Sequence, residues 1–150
     1  QIDSSLSRTL AAQGEFDAWL AAQPHAVKVV VRGNHDAMSA KFPRSQAQYV
    51  TRQLTLDVKG IRICVLPFSR GRVRRELPSC DVLVTHVPPK GVLDRCYNGD
   101  HAGSRFLREA VERSPNKPRA WLCGHIHEAR GHALVRFGPS ARPTLVVNAA

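Results

Sequence analysis

The stretch V-K-V-V-V-R-G-N-H-D, residues 27–36, carries the pattern that decides the fold of this chain. Its β-branched valines lie between Pro24 and Gly33 and predict a short buried strand over residues 27–31. The polar residues Asn34, His35 and Asp36 follow almost at once. The segment therefore predicts a strand with chemically useful side chains just beyond its carboxyl end.

Two further apolar runs end in the same way. Residues 82–84 lead into His86, and residues 122–123 lead into His125 and His127. In an open α/β sheet, ligands bind beyond the carboxyl ends of the strands, so polar groups placed there converge. One histidine after a strand is more often an ordinary loop residue, but three such strand ends together predict a site.

The remaining pattern predicts alternating helices and strands. Residues 15–23 predict a helix whose Phe16, Trp19 and Leu20 are expected in the core. Further predicted elements are a helical turn or two over residues 45–52, a hairpin over 54–58 and 61–66, a helix over 103–113, and strands over 120–123, 132–137 and 144–147.

Length and composition indicate one globular domain. The chain has 150 residues, of which 43% are hydrophobic and 23% charged, as in ordinary folded proteins. No apolar run approaches the roughly 18 residues of a membrane helix. We therefore expect a domain over residues 1–150 that does not span a membrane.

The charge balance is strongly basic. Lys and Arg number 22 against 12 Asp and Glu, a formal net charge of +10, which attracts phosphate-bearing partners. The densest cluster is Arg70, Arg72, Arg74 and Arg75. This pattern is equally compatible with a solvated loop and with a phosphate contact.

The cysteines favour a reducing compartment. Cys64, Cys80, Cys96 and Cys123 are widely spaced and form no C-x-x-C pair, which argues against zinc ribbons and thioredoxin-like redox motifs. Cys64 and Cys123 lie in apolar runs and are expected to be buried free thiols. We expect a cytoplasmic protein.

The side chains after the strands suit a metal. Neutral imidazoles and an amide oxygen favour Zn, Mn, Fe or Ni over calcium. His125 and His127 are one residue apart and can address two different ions. A two-metal site clamps an in-line displacement at phosphorus and generates hydroxide near neutral pH, but it also needs a bridging carboxylate.

The ordered motifs resemble a known superfamily. G-N-H-D at 33–36, T-H at 85–86 and G-H-I-H at 124–127 are similar to signature blocks of the calcineurin-like metallophosphoesterases. The segments F-D-A-W-L, T-H-V-P-P-K-G-V-L-D-R, C-G-H-I-H-E-A-R-G and V-V-N-A-A, which begin at residues 16, 85, 123 and 146, resemble the metallophosphoesterase-domain (brain protein 239-like) branch.

The resemblance implies a fold and a set of roles. The fold is an α/β sandwich of two mixed β-sheets flanked by helices. One divalent metal is bound by Asn34, His86 and His125, and His127 binds a second. His35 is the acid near the leaving group, with Asp36 orienting it. Animal members of that branch often carry glycine where His125 stands, so its retention favours activity.

The chain also departs from the family pattern. No Asp-x-His pair precedes Gly33, and Asp3, 31 residues before Asn34, is the candidate bridging aspartate although Ile2 replaces an expected glycine. We therefore expect a partial domain that lacks its first strand and metal motif and is trimmed at both ends.

The expected function is hydrolysis of a phosphoester, with two divalent metals and a metal-bound hydroxide as nucleophile. A diester is favoured, and the related branch is associated with cyclic nucleotides; Arg130 is a candidate phosphate contact. One alternative is a catalytically inactive binding or regulatory module. Another is a nucleic-acid binder, which the charge of +10 favours and the aromatic content of 6% opposes.

Overall fold

The described part of the chain folds into two β-sheets with two α-helices. The computed structural model describes residues 2–69, 76–139 and 141–150, with side chains from residue 8 onward. Within these ranges the elements are α1 (Ile2–Ala21), β1 (Val29–Val31), β2 (Gln48–Val50), β3 (Leu54–Val58), β4 (Ile61–Leu66), β5 (Val82–Thr85), α2 (Arg105–Arg113), β6 (Ala120–Cys123), β7 (Gly131–Val135) and β8 (Thr144–Asn148). The expected mixed α/β class with two sheets is confirmed.

The large sheet has six strands in the order β3-β4-β5-β6-β8-β7. The inner strands β4, β5, β6 and β8 run parallel to one another, while β3 and β7 are antiparallel edge strands. The predicted hairpin is confirmed as β3 and β4. Because parallel strands end at the same edge of a sheet, the residues after β5 and β6 lie side by side.

The core lies against this large sheet. Trp121 on β6 is completely buried, and its indole Nε1–H donates to the Thr85 Oγ1 at a distance of 2.9 Å. Helix α2 begins after the N-cap Ser104, whose side chain accepts from the Leu107 N–H. The buried core cluster consists of Cys64, Leu66, Leu83, Leu107, Val111, Trp121, Cys123, Phe137 and Val146.

The small sheet corrects two predictions. Residues 48–50 form the short strand β2, parallel to β1, instead of the helical turn predicted over residues 45–52. The predicted strand at 27–31 is observed as β1, but its three residues are half-buried and not fully buried. In the described residues β1 pairs with β2 alone, so its other edge has no strand to cover it.

Helix α1 corrects a third prediction. Phe16 and Trp19 were expected in the core but are 43% and 59% exposed, whereas Leu20 is buried. The inward side of α1 is set by Asp17, whose carboxylate accepts from the Ser45 hydroxyl at 2.6 Å and from the Ser45 N–H at 3.0 Å. This polar anchor turns Phe16 and Trp19 outward.

All four cysteines are free, and Cys64 and Cys123 are buried, as predicted. The arginines at 70, 72, 74 and 75 lie outside the described residues, so the two interpretations of that cluster stay open. None of the described helices is long and apolar enough to cross a bilayer.

Candidate metal centre

Three predicted ligands come together where the two sheets meet. Asn34 follows β1, His86 follows β5, and His125 follows β6. The Asn34 Oδ1 and His86 Nε2 atoms are 2.8 Å apart. The His86 and His125 rings lie with their centroids 4.7 Å apart.

The large sheet places the two imidazoles directly. Strands β5 and β6 are parallel neighbours, and the Gly124 N–H donates to the His86 carbonyl oxygen at 3.0 Å. This bond extends the pairing of the strands by one step beyond their ends. His86 and His125 are therefore held side by side by backbone pairing.

The small sheet is joined to the large sheet beside the site by hydrogen bonds between Arg32 and Phe68, which form the seam between the two sheets. Arg32 follows β1, and its Nη1 donates to the Phe68 carbonyl oxygen at 2.9 Å. The Phe68 N–H donates back to the Arg32 carbonyl oxygen at 2.8 Å. This pair of bonds fixes the end of β1 to the segment that follows β4, and so brings Asn34 to the imidazoles.

Gly33 is needed for the close approach of the two sheets. A Cβ atom at this position would lie 2.8 Å from the His86 Cε1 and 3.0 Å from the Asp36 Oδ2. Any side chain would push the loop away from His86. The Gly33 N–H also donates to the Asp36 Oδ2 at 2.7 Å, which closes the loop on itself.

His125 has an unusual backbone. Its φ is 75°, in the left-handed region, which costs a residue with a Cβ about 1 kcal/mol or more. Ile126, the next residue, is buried, and its carbonyl oxygen accepts from the Asn148 Nδ2 at 2.7 Å. The neighbouring structure therefore holds His125 in a conformation that places its ring beside His86.

The electrostatics keep both imidazoles neutral. Burial lowers the pKa of His86 below its ordinary value, and the nearby His125 lowers it further, while Asp36 opposes the shift. Burial also lowers the pKa of His125, with additional contributions from His127 and His35. A neutral imidazole keeps the lone pair that a metal ion requires.

The site opens into a cavity of about 240 Å³. His86 and His125 line it on the side of the strand ends, and Phe68 stands against both rings, with centroid distances of 5.7 and 6.4 Å. The other lining residues are Leu66, Pro67, Ser69, Thr85, Val87, Ala102, Ser104, Phe106 and Leu107. The cavity therefore combines metal-ligating nitrogens with an apolar wall.

The other predicted residues are less closely assembled. His127 is exposed at the start of a 3₁₀ turn, His127–Ala129, and Arg130, which follows the turn, is also exposed and absent from the cavity lining. The Asp36 carboxylate accepts a hydrogen bond from the Gly33 N–H. That Asp36 orients His35 stays a prediction. Asp3 lies in the first turn of α1, and its side chain is outside the described residues.

The donor set fits a divalent cation in part. Throughout the described ranges no three His, Cys, Asp or Glu side chains gather at one point, so the assembled set is two imidazoles and one amide. The 2.8 Å separation of the Asn34 Oδ1 and His86 Nε2 atoms suits adjacent ligands of one ion, whose bonds are about 2.1 Å long.

Sequence reasoning missed residues that hold the site from behind. Asn148 is buried at the end of β8, and its amide donates to the carbonyl oxygens of Ile126 and Leu93 at 2.7 and 3.2 Å. It thereby ties the G-H-I-H loop to the loop after β5. The signal was present, because Asn148 is another polar residue at a strand end.

A second missed group is a buried aspartate. Asp94 is 2% exposed, and its carboxylate accepts from the N–H groups of Gly91 and Gly103 and lies 2.6 Å from the His101 Nδ1. It fixes the loop that carries the cavity residues Ala102 and Ser104.

Comparison with known proteins gives two relatives that match over similar shares of their length. UPF0046 protein K07C11.7 of Caenorhabditis elegans is 28% identical over 152 residues, covering 78% of this chain and 51% of that protein. Metallophosphoesterase domain-containing protein 1 of Homo sapiens is 26% identical over 162 residues, covering 78% and 49%. The chain thus spans about half the length of these relatives, which support the suggested branch.

A third relative matches over a small part of its length. Probable rhamnogalacturonate lyase C of Emericella nidulans is 28% identical over 149 residues, covering 78% of this chain and 14% of that protein. The calcineurin-like phosphoesterase family model matches residues 2–129, a range that contains the three assembled ligands. The chain therefore belongs to the calcineurin-like phosphoesterase family, a family of metal-dependent phosphoester hydrolases.

Proposed function

We propose that this chain is the catalytic part of a phosphodiesterase with a dinuclear divalent metal centre. The observation that carries the proposal is the meeting of Asn34, His86 and His125 at the seam between the sheets, beside a cavity. Family membership over residues 2–129 supports the same reaction class.

The proposed ligands divide between two ions. Asn34, His86 and His125 bind the first, His127 binds the second, and Asp3 is the proposed bridging aspartate. Borderline ions such as Mn, Fe, Zn or Ni suit these donors, and manganese is our first choice. A divalent ion held by these residues would offset phosphate charge and would supply hydroxide near neutral pH.

The proposed acid is His35, which follows the ligand Asn34 directly. A protonated imidazole N–H on His35 would donate its proton to the departing alkoxide oxygen, so that the leaving group departs as an alcohol. Asp36 is proposed to orient His35. The short Gly33–Asp36 contact supports this loop as a fixed element, because the carboxylate closes it at 2.7 Å.

The cavity supports an organic phosphodiester as the substrate. Its wall of Phe68, Val87 and Leu107 can receive an apolar ester substituent while the imidazole side receives the phosphate. We propose a small phosphoester, with cyclic nucleotides as one class, and Arg130 as an additional phosphate contact. Nucleic acid is not favoured, and a cytoplasmic location is proposed because the four cysteines are free.

The test measures metal content and turnover in the same samples. The purified chain, loaded with Mn²⁺, is assayed on bis(p-nitrophenyl) phosphate and on p-nitrophenyl phosphate, and bound metal is counted by mass spectrometry. We expect faster turnover of the diester. His132, which is exposed on β7, provides the matched control His132→Ala, which is expected to behave as the unmodified chain.

Two variants separate the proposed roles. His86→Ala should lose both bound metal and turnover, whereas His35→Ala should lose turnover and keep its metal. Equal loss of metal in the two variants would contradict the assigned roles. Stoichiometric bound metal with no hydrolysis of either ester would indicate a catalytically inactive binding module and not an enzyme.

A further inference from the structure

A pair of cysteines lies at the end of the large sheet opposite the metal centre. Cys80 precedes β5, whereas His86 follows the same strand, and the six residue steps from one to the other span about 20 Å when extended. Cys64 lies within β4, the strand next to β5. The pair is therefore separate from the proposed catalytic machinery.

The chain next to Cys80 is fixed against β4. The Asp81 N–H donates to the Arg62 carbonyl oxygen at 2.8 Å, and the Arg62 N–H donates to the Asp81 Oδ2 at 3.0 Å. These bonds join Arg62, which is two residues before Cys64, to Asp81, which is one residue after Cys80. They hold the two cysteines in reach of each other.

The two thiols are in contact. Cys64 is completely buried in the core cluster, and Cys80 is half-buried and packs against that cluster. A hydrogen bond joins the two sulfur atoms; it raises the pKa of Cys64 and lowers the pKa of Cys80. Because Cys64 is fully buried and Cys80 is half-buried, Cys80 is the sulfur that an external disulfide can reach.

Cys80 is reachable through a polar cavity of about 290 Å³. The charged residues that line it beside Cys80 are Asp57, Arg62, Asp81, Lys117 and Arg142. Three cationic side chains outnumber two acidic ones, so the cavity favours a small anionic reagent. Cys64 has no such access, because its side chain is covered on every side.

We infer that Cys64 and Cys80 form a dithiol that small anionic disulfides oxidise to a Cys64–Cys80 disulfide. In the first step the Cys80 thiolate attacks one sulfur of the reagent RSSR, forming a Cys80–S–S–R bond and releasing RS⁻. In the second, Cys64 loses its proton and attacks the Cys80 sulfur, releasing a second RS⁻. The protein loses two electrons and two protons, and RSSR is reduced to two RSH.

The test treats the folded, reduced chain with glutathione disulfide, which is anionic at neutral pH, and maps the products by mass spectrometry. Trypsin cuts after Arg62, Arg70, Arg75 and Lys90, so Cys64 and Cys80 fall on the peptides 63–70 and 76–90. We expect these two peptides to be cross-linked without retained glutathione, and dithiothreitol to separate them. A persistent glutathionyl group on Cys80, or no modification of Cys80, would overturn the inference without any variant.

Cys96 provides the internal comparison because it lies in the loop after β5 and is also half-buried. Cys80 should react roughly tenfold faster than Cys96, because the rate follows thiolate character. Cys64→Ala should stop at a single glutathionyl group on Cys80, and Cys96→Ser should still form the cross-link. Equal rates at Cys80 and Cys96 would contradict the assignment of Cys80 as the attacking sulfur.

Discussion

The two sheets contribute unequally to the candidate metal centre. The large sheet supplies His86 and His125 from neighbouring strands that the buried Trp121–Thr85 hydrogen bond ties together. The small sheet supplies Asn34 from β1, a half-buried strand of three residues. The imidazole pair is thus preorganised by a packed core, while the amide depends on a few contacts at the seam.

The largest effect is expected from removing a tryptophan of the large sheet, compared with one on helix α1, outside that sheet. Trp121→Ala empties a fully buried position on β6 and should lower the free energy of unfolding by about 3–5 kcal/mol. Trp19→Ala removes a side chain that is 59% exposed on α1, for an expected loss below about 1 kcal/mol. Urea denaturation measures both.

A milder variant tests the same prediction in case Trp121→Ala does not fold. Trp121→Phe keeps most of the ring and removes the donor to Thr85, so it should fall between the two alanine variants. Equal losses for Trp19→Ala and Trp121→Ala would show that the large sheet is not the rigid half of the molecule.

The second prediction tests the seam itself. Gly33→Ala places a Cβ 2.8 Å from the His86 Cε1, so the loop must move away and take Asn34 with it. Mn²⁺ affinity should fall by about 10- to 100-fold, the range for a displaced supporting contact at a metal site. Isothermal titration calorimetry measures the change.

Gly14 offers a matched control for this substitution. It lies within α1, with no atom within 4 Å of an added Cβ, so Gly14→Ala should leave Mn²⁺ affinity unchanged and stabilise the chain by about 1 kcal/mol. An Mn²⁺ affinity that is the same in Gly33→Ala as in the unmodified chain would mean that Asn34 is not a ligand.

The third prediction concerns the backbone at His125. Because its φ is 75°, His125→Gly should be about 1 kcal/mol more stable than His125→Ala, although both lose the imidazole and its metal. The order should reverse at His127, which has no positive φ. Thermal unfolding of the four variants decides the point, and the same order at both positions would count against backbone strain at His125.

The smallest effect is expected at the anchor of α1. Burial raises the pKa of Asp17, but hydrogen bonds from Ser45 and from the Arg44 N–H outweigh it, so the pKa lies below its ordinary value. Because the pKa of Asp17 is lowered in the folded chain, its ionised carboxylate stabilises the fold at pH values above the unfolded-state pKa near 3.8. This contribution is lost as the pH falls through the folded-state pKa.

Asp17→Asn should therefore flatten the loss of stability between pH 5 and the acid transition, as measured by unfolding at several pH values. Asp57→Asn is the matched control, since Asp57 lies on the edge strand β3, away from α1. Identical pH profiles for the unmodified chain and Asp17→Asn would show that the Asp17 carboxylate does not hold α1 in place.

The inner strands β5, β6 and β8 were predictable because each is an apolar run that ends before a polar group, and β3 and β4 because they alternate with period two around Lys59 and Gly60. The position of α1 was not, since the side that faces inward is chosen by the contact of Asp17 with Ser45, 28 residues away. Strand β2 escaped prediction because it is three residues long and begins with a polar glutamine. Short elements of this kind are fixed by their partner strand.

The candidate site divides in the same way. The rule that polar residues after strands converge placed Asn34, His86 and His125 together. The rule would also have found Asn148, but only if applied to the last strand. The conformation of His125 and the burial of Asp94 depend on tertiary contacts that leave no mark in composition or spacing.

Asn34, His86 and His125 are proposed to bind one divalent ion across the seam between the sheets. Anomalous diffraction from crystals of the chain grown with Mn²⁺ would locate that ion. We predict a manganese peak within bonding distance of the Asn34 Oδ1, the His86 Nε2 and a ring nitrogen of His125. A peak that touches the imidazoles but not Asn34, or manganese bound only elsewhere, would contradict it.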